Sequence, residues 1–272
     1  MNTLSEKVSR SFKFYYYGFR NNWDFPDSMS HLAGGKIAKG SYEPDVTRLL
    51  YDCLEPGSIF IDVGANVGYF SRLAGDIVGE KGKVFAFEVD GNNFMCLCQN
   101  ISDYSNILPF HFAISDKNAF LELNISTHAA CHSLVQTDNN LIGETSKVFS
   151  ISLDHFWENY LEKERIDLLK IDVEGAEIQA LDGMQKILSH GMVKNLIIEY
   201  CPQILKNAGF EVMQFYEKLS PHFSISIVEE EYKIAVGDKN ISSSDDFMKL
   251  TELLLSEDNA VNINLFCTKI ES

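Results

Sequence analysis

Basic residues are scarce in this sequence, where 23 Lys and Arg stand against 39 Asp and Glu and leave a formal net charge of −16 over 272 residues. A main partner that is nucleic acid or an anionic membrane surface demands basic patches. We therefore expect neither of these partners. The charge does not name the substrate.

Paired cysteines and long apolar runs are also missing. The six cysteines are scattered with no Cys-x-x-Cys pair, and most fall in apolar patterns, so we expect reduced, buried thiols. No apolar run reaches the length of a membrane span, and the first residues do not form a signal peptide. The expected location is cytoplasmic, with no membrane span.

The length and the 45% hydrophobic content suit one large α/β domain with a sizeable core. Residues 41–272 are expected to form this domain, with an insert at about 118–152. Residues 1–40 are rich in aromatic side chains and are expected either to pack over the domain or to serve as a lid or acceptor-site wall.

One stretch organises the chain. Residues 59–63 form a largely apolar run, rich in β-branched and aromatic residues, that follows Pro56-Gly57 and predicts a buried strand. A turn containing Gly64 and Gly68 leads into a helix beginning near Tyr69. Such a strand–turn–helix lets backbone N–H groups approach a polar ligand closely.

The acids around this turn indicate which cofactor binds. Glu88 ends the next apolar run and can accept hydrogen bonds from both hydroxyls of a ribose. A dinucleotide fingerprint requires Gly-x-Gly-x-x-Gly, but Asn66 occupies the middle position here. Asp62 would repel a pyrophosphate and attract a cationic sulfonium with its ammonium group. The pattern favours S-adenosylmethionine over NAD.

A second strand–turn–helix spans residues 166–177, with Asp172 and Glu174 at the carboxyl end of the strand. Ligands of open α/β sheets bind outside these ends, at the switch point of strand order. Asp172 is therefore expected to face Asp62 and Gly64 across a crevice. A third strand is expected over residues 107–113, and Ile114-Ser115-Asp116 follows its carboxyl end, where an adenine edge would lie. The alternative is that Asp172 and Glu174 are helix-capping and solvent residues.

The predicted insert holds the densest group of reactive side chains: His128, Cys131, His132 and Ser133. The two histidines lie four residues apart on a long loop near the carboxyl ends of the strands, so either one of them serves the acceptor or both are surface or structural residues. A metal site here would need a helical loop and a further ligand, so we do not expect one.

Several motifs are similar to those of the FkbM-type methyltransferases. They include Tyr42-Glu43-Pro44, the turn at 60–68 and above all Leu169-Lys170-Ile171-Asp172-Val173-Glu174-Gly175-Ala176-Glu177. The resemblance covers about residues 40–202 and implies a Rossmann-like, seven-stranded, mostly parallel sheet with helices on both faces and an antiparallel C-terminal strand pair. It also implies methyl transfer from S-adenosylmethionine to hydroxyls of sugars, polyketides or other natural products. The cofactor contacts expected on these motifs are Tyr42, Glu43, Asp62, Gly64, Ala65, Asn66, Gly68, Tyr69, Phe70, Glu88, Val89, Ala113, Ile114, Ser115 and Asp172.

An alcohol is a poor nucleophile, so methyl transfer is expected to use a base, with Asp172, Glu174 and His132 as candidates in falling order. A divalent metal held by Asp172 and Glu174 could instead acidify the alcohol, provided both lie in the turn, since alternate strand positions point apart. The rival interpretations are an NAD-dependent oxidoreductase and a non-catalytic nucleotide-binding scaffold. The acceptor, the regiochemistry and the oligomeric state do not follow from the sequence.

Overall fold

A computed structural model describes residues 23–26, 29, 31–126, 134, 141–228, 240–257 and 260–270 of the chain. The helices of this part are α1 (His31–Ala38), α2 (Pro44–Cys53), α3 (Tyr69–Val78), α4 (Gly91–Asn100), α5 (Leu153–Asn159), α6 (Glu177–Asp182), α7 (Gln185–Ser189), α8 (Pro202–Asn207), α9 (Val212–Leu219) and α10 (Ser244–Leu255). The strands are β1 (Ile59–Val63), β2 (Lys83–Phe87), β3 (Ile107–Phe110), β4 (Ala113–Ile114), β5 (Ala119–Ser126), β6 (Leu141–Ile151), β7 (Ile166–Ile171), β8 (Val193–Tyr200), β9 (Phe223–Ile227), β10 (Asn240–Ile241) and β11 (Ile263–Lys269).

The main sheet has the order β10-β9-β11-β8-β7-β1-β2-β3. Its pairings from β3 through β8 are parallel, and β11 lies antiparallel between β8 and β9. The predicted α/β architecture and the antiparallel C-terminal strand pair are confirmed. The described sheet has eight strands rather than seven, because the two-residue β10 adds to the edge of β9.

The sheet buries apolar side chains on both faces. Phe60, Leu168 and Ile197 pack with α2 and α3, whereas Ile61 and Leu169 point to the opposite core. Alternate residues of a strand point to opposite faces, so these strands are apolar on both faces over most of their length. Each such side chain contributes roughly 1.5–3 kcal/mol when fully buried.

The strand order reverses between β1 and β7. From β1 the sheet runs through β2 to β3 on one side, and β7 and β8 lie on the other. The carboxyl ends of β1 and β7 are therefore adjacent, and the Asp172 N–H donates to the Val63 carbonyl at 3.0 Å. This reversal opens the crevice in which open α/β sheets bind ligands.

The insert contributes β5 and β6 to a separate sheet of three strands, in which β6 pairs antiparallel with β5 and parallel with β4. His128, Cys131, His132 and Ser133 lie outside the described residues.

The stretch after the turn at Gly175 forms two helices, α6 and α7, rather than one continuous helix. Asp154 causes the break, because its carboxylate accepts hydrogen bonds from the amides of Lys186 and Ile187, at 2.9 Å each, and starts α7. The Asp154 N–H in turn donates to the Gly183 carbonyl at 2.8 Å.

None of the described helices combines the length and apolar character that crossing a membrane requires.

Candidate active site

A cavity of about 390 Å³ opens at the carboxyl ends of β1, β2, β4 and β7. Its polar wall is the turn after β1, Glu88 and the loop after β7. Twelve of the residues predicted to form the site line it: Tyr42, Gly64, Ala65, Asn66, Tyr69, Phe70, Glu88, Val89, Ala113, Ile114, Asp172 and Glu174. Four others lie near it without lining it: Glu43, Asp62, Gly68 and Ser115.

The turn after β1 depends on left-handed backbone. Gly64, Asn66 and Gly68 have φ angles of 83°, 51° and 87°. The N–H groups of Gly64 and Ala65 both donate to the Phe87 carbonyl, at 3.0 and 2.9 Å. The turn is thereby tied to the end of β2 and exposes bare backbone at the start of α3, where a ligand can approach closely.

Glu88 holds the other side of this turn. Its carboxylate accepts hydrogen bonds from the backbone amides of Asn66, at 2.7 Å, and Asp90, at 2.8 Å. Burial raises the pKa of Glu88 to about 7, although these amides favour the charged form. A carboxylate can accept several hydrogen bonds, so Glu88 can hold the turn and still receive ribose hydroxyls.

The structure places Asp62 behind the cavity wall. The Ser71 hydroxyl donates to Asp62 Oδ2 at 2.6 Å, while Oδ1 is buried with no hydrogen-bond partner in the described part of the chain. Burial raises the pKa of Asp62, and the nearby Lys170 opposes this shift. Asp62 therefore lies beside a buried cation, Lys170. The positive charge of this lysine weakens the attraction between Asp62 and a sulfonium that the sequence predicts.

Sequence reasoning missed Lys170. It pairs across the sheet with Asp62, is 1% exposed, and its Nζ donates to Asp172 Oδ2 at 2.7 Å. The ammonium also lies 5.0 Å from the centre of the Phe70 ring. A lysine inside an apolar strand is the signal that could have revealed it, because buried lysines require partners.

The loop after β7 brings acids together. Glu174 and Gly175 adopt left-handed conformations, with φ angles of 53° and 97°, so Asp172 and Glu174 lie in a turn and converge. Glu199, at the end of β8, joins them, and a carboxylate oxygen of each lies within 4.8 Å of the others. Glu199 is not among the site residues predicted from the sequence.

Crowding of these acids changes their protonation. Burial and the charge of Asp172 raise the pKa values of Glu174 and Glu199 well above the usual range. Like charges this close cannot all be ionised, so the group can hold and accept protons. Three converging carboxylates also satisfy a geometric condition for a cation. No other feature of the described residues points to a metal, and a metal held by Asp172 and Glu174 stays the open alternative to a side-chain base.

An apolar wall completes the cavity. Met29, Ala33 and Ile37 cover it from α1 and the segment before it, and Leu123 and Leu134 come from the insert. The lid or acceptor-site wall expected of residues 1–40 stays a prediction.

Curated relatives include the hexuronic acid methyltransferase AglP of Haloferax volcanii, 32% identical over 150 residues, which are 54% of this chain and 58% of that protein. Another is methyltransferase sdnD of Sordaria araneosa, 25% identical over 72% of this chain and 91% of its own length. A third is ribosomal RNA large subunit methyltransferase E of Chromobacterium violaceum, 35% identical over 74 residues, which are 25% of this chain and 36% of that protein. This chain spans little more than half the length of AglP.

Similar solved structures include an rRNA methylase of Streptococcus thermophilus, 15% identical with a TM-score of 0.47, matched over 83% of this chain and 95% of that one. Fibrillarin of Aeropyrum pernix with bound S-adenosyl-L-methionine is 13% identical with a TM-score of 0.43, over 83% and 73% of the chains. No acceptor follows from these likenesses.

The bare turn at Gly64, the buried Glu88 and the 390 Å³ cavity between them fit an adenosyl cofactor. Residues 62–223 match the model of the methyltransferase FkbM domain. This chain belongs to the FkbM methyltransferase family, a family of S-adenosylmethionine-dependent enzymes.

Proposed function

We propose that this protein transfers the methyl group of S-adenosylmethionine to a hydroxyl of a sugar, a polyketide or another small natural product. One observation carries the proposal. The glycine turn after β1 and the converging carboxylates of Asp172 and Glu174 line the same cavity. A cofactor bound at the turn would therefore place its reactive end beside groups that can take a proton.

Different residues around the turn would contact different parts of the cofactor. Glu88 would accept the ribose hydroxyls, and the bare backbone of the Gly64–Gly68 turn would lie against the amino-acid end. Ala113 and Ile114 would lie against the adenine edge. Asp62 lies behind this wall and would act by supporting α3 through Ser71 rather than by contact.

When bound, the sulfonium supplies an electrophilic methyl group, so the protein's own task is to align an oxygen and remove its proton. Asp172 is the proposed base, because it lines the cavity and its charge is paired with Lys170. Glu174 and Glu199 are the neighbours to which the proton can pass. His132 stays a candidate base, and it lies outside the described residues.

A sugar hydroxyl is favoured among acceptors. AglP, whose name states hexuronic acid methylation, is 32% identical over the aligned region. RNA is the second candidate, because a ribosomal RNA methyltransferase aligns over 74 residues. The net charge of −16 and the acidic cavity argue against RNA, since phosphate binding draws on basic side chains. Family membership sets aside the NAD-dependent oxidoreductase.

Methyl transfer can be tested with S-adenosylmethionine labelled in the methyl group. The acceptor panel should contain methyl glycosides of neutral hexoses, methyl glucuronoside, simple polyketide alcohols and ribosomal RNA. Label in a glycoside or polyketide alcohol, with nuclear magnetic resonance placing it on oxygen, is the expected result. Label confined to RNA, or placed on carbon or nitrogen, would refute the proposal.

A further inference from the structure

Lys170 joins three stretches that are distant in sequence. Its ammonium contacts Asp172 after β7, lies beside Asp62 of β1 and is close enough to Glu43, before α2, to interact with its charge. Burial lowers the pKa of Lys170, but these three carboxylates outweigh burial and raise it above the usual value. The lysine is therefore a buried cation at neutral pH, enclosed by acids that would repel one another without it.

The backbone of Asp172 is held in place, so only its side chain can rotate. Its N–H is bound to the Val63 carbonyl at 3.0 Å, and its own carbonyl oxygen lies against Gly64 with no room for a Cβ. The carboxylate can still turn about its side-chain bonds toward Glu174 or Glu199, whose raised pKa values favour protonated acids that could donate a hydrogen bond to it. The 2.7 Å ion pair with Lys170 Nζ opposes that rotation, at a lysine side chain only 2% exposed.

We propose that Lys170 is a positioning residue for methyl transfer, holding the Asp172 carboxylate in the orientation that receives the acceptor's proton. This inference rests on the proposed function, in which Asp172 is the base. Lys170 acts through Asp172 and touches neither the departing proton nor the methyl group. Displacing a catalytic group by about 1 Å can cost on the order of 100-fold in rate.

The test compares wild type with Lys170→Met, Asp172→Asn, the double variant and Lys206→Met. Met has nearly the length of Lys without its charge, and Lys206 is an exposed lysine that serves as the matched control. Crystal structures with S-adenosylhomocysteine bound give the first readout, which needs no acceptor. We expect the Asp172 carboxylate to leave its position in Lys170→Met. An unchanged Asp172 rotamer would overturn the inference.

The second readout is the kinetics of methyl transfer, with methyl glucuronoside as the probe acceptor. Lys170→Met should lower kcat at least about tenfold with KM for the cofactor within about threefold of wild type, since general base catalysis is worth 10²–10⁴-fold. Lys206→Met should match wild type. Adding Lys170→Met to Asp172→Asn should cost nothing further, because the lysine acts through that carboxylate.

The double variant also covers the case in which Lys170→Met does not fold, because it removes one charge of each sign. A double variant at least tenfold slower than Asp172→Asn would overturn the positioning role. Failure of the proposed function looks different, since Asp172→Asn itself would then turn over like wild type. A slow Asp172→Asn beside a fully active Lys170→Met would overturn only the inference on Lys170.

Discussion

Gly64 and Asp172 are in direct backbone contact across the crevice, such that a Cβ added at Gly64 would lie 1.8 Å from the Asp172 carbonyl oxygen. The glycine that shapes the cofactor turn and the residue proposed as the base thus meet at one point. Only a residue without a side chain permits this approach. The cofactor turn and the proton-accepting loop are therefore one mechanical unit.

Gly64→Ala is predicted to destabilise the protein by more than about 2 kcal/mol, because it adds this clash to left-handed strain. Gly57→Ala is the matched control, since Gly57 also has a positive φ, 94°, but nothing lies within 4 Å of its added Cβ. That variant should lose only about 1 kcal/mol. Thermal unfolding and calorimetric titration with S-adenosylhomocysteine measure both, and equal losses would show that the contact is unimportant.

Glu88→Gln is predicted to weaken S-adenosylhomocysteine binding by about 10- to 100-fold, because hydrogen bonds to a charged group contribute roughly 1.5–3 kcal/mol. The loss combines the proposed ribose contacts with the amide of Asn66, which donates to this carboxylate at 2.7 Å. Titration calorimetry measures the affinity, with the exposed Glu122→Gln as control. An unchanged affinity would remove Glu88 from the cofactor site.

Stability without ligand is predicted to fall as pH rises from about 5 to 7. Burial raises the pKa values of Glu88 and Glu177 from 4.5 to about 7 in the folded protein. The folded state therefore binds these protons more tightly than the unfolded state, and this stabilisation is lost as pH rises through 7. Each group contributes up to roughly 3 kcal/mol.

Glu177→Gln isolates one of these contributions. Glu177 Oε1 accepts hydrogen bonds from the amides of Val173 and Gly175, and the amide oxygen of glutamine can retain them. The melting temperature of this variant should change less between pH 5 and pH 7 than that of wild type or Glu122→Gln. A pH dependence identical to that of wild type would contradict the assignment.

Asn100 is predicted to tether the N-terminal segment to the cofactor turn. Its Nδ2 donates to the carbonyls of Asp24, at 2.9 Å, and Val67, at 2.8 Å, while Oδ1 accepts from the Asp24 amide. Asn100→Leu should accelerate hydrogen exchange in residues 23–26 and weaken S-adenosylhomocysteine binding. Mass spectrometry of exchange measures the release.

Asn106→Leu is the control for that experiment, because Asn106 Nδ2 likewise bonds two carbonyls, those of Gly75 and Gly79, away from the cavity. It should lose stability without freeing residues 23–26. Equal exchange of this segment in both variants would show that Asn100 is no tether.

The strands and the turn were predictable because each depends on residues that are neighbours in the sequence. Residues 59–63 are apolar and end at Gly64, and residues 166–171 repeat this pattern before Asp172. Adjacency of the two strand ends followed from the rule that crevices form where strand order reverses. The cofactor is inferred from the likeness to a known family rather than from the charge of Asp62, which lies beside the buried Lys170.

The cluster of carboxylates after β7 and β8, and the buried lysine beside it, were not predictable in the same way. Glu199 reaches the site only because β8 pairs beside β7, and Lys170 reaches Asp62 only through the register of β1 against β7. Convergence of Asp172 and Glu174 required the left-handed Glu174, at a φ of 53°, which non-glycine residues seldom adopt. Tertiary pairing and backbone strain set these positions.

The most direct test of the account is the Asp172→Asn variant, measured for S-adenosylhomocysteine affinity by calorimetry and for methyl transfer to the hydroxyl acceptor that wild type uses. We predict affinity within about threefold of wild type and a rate lowered by roughly 10²–10⁴-fold, the usual contribution of a general base. Wild-type turnover in this variant would contradict the central claim that Asp172 takes the proton.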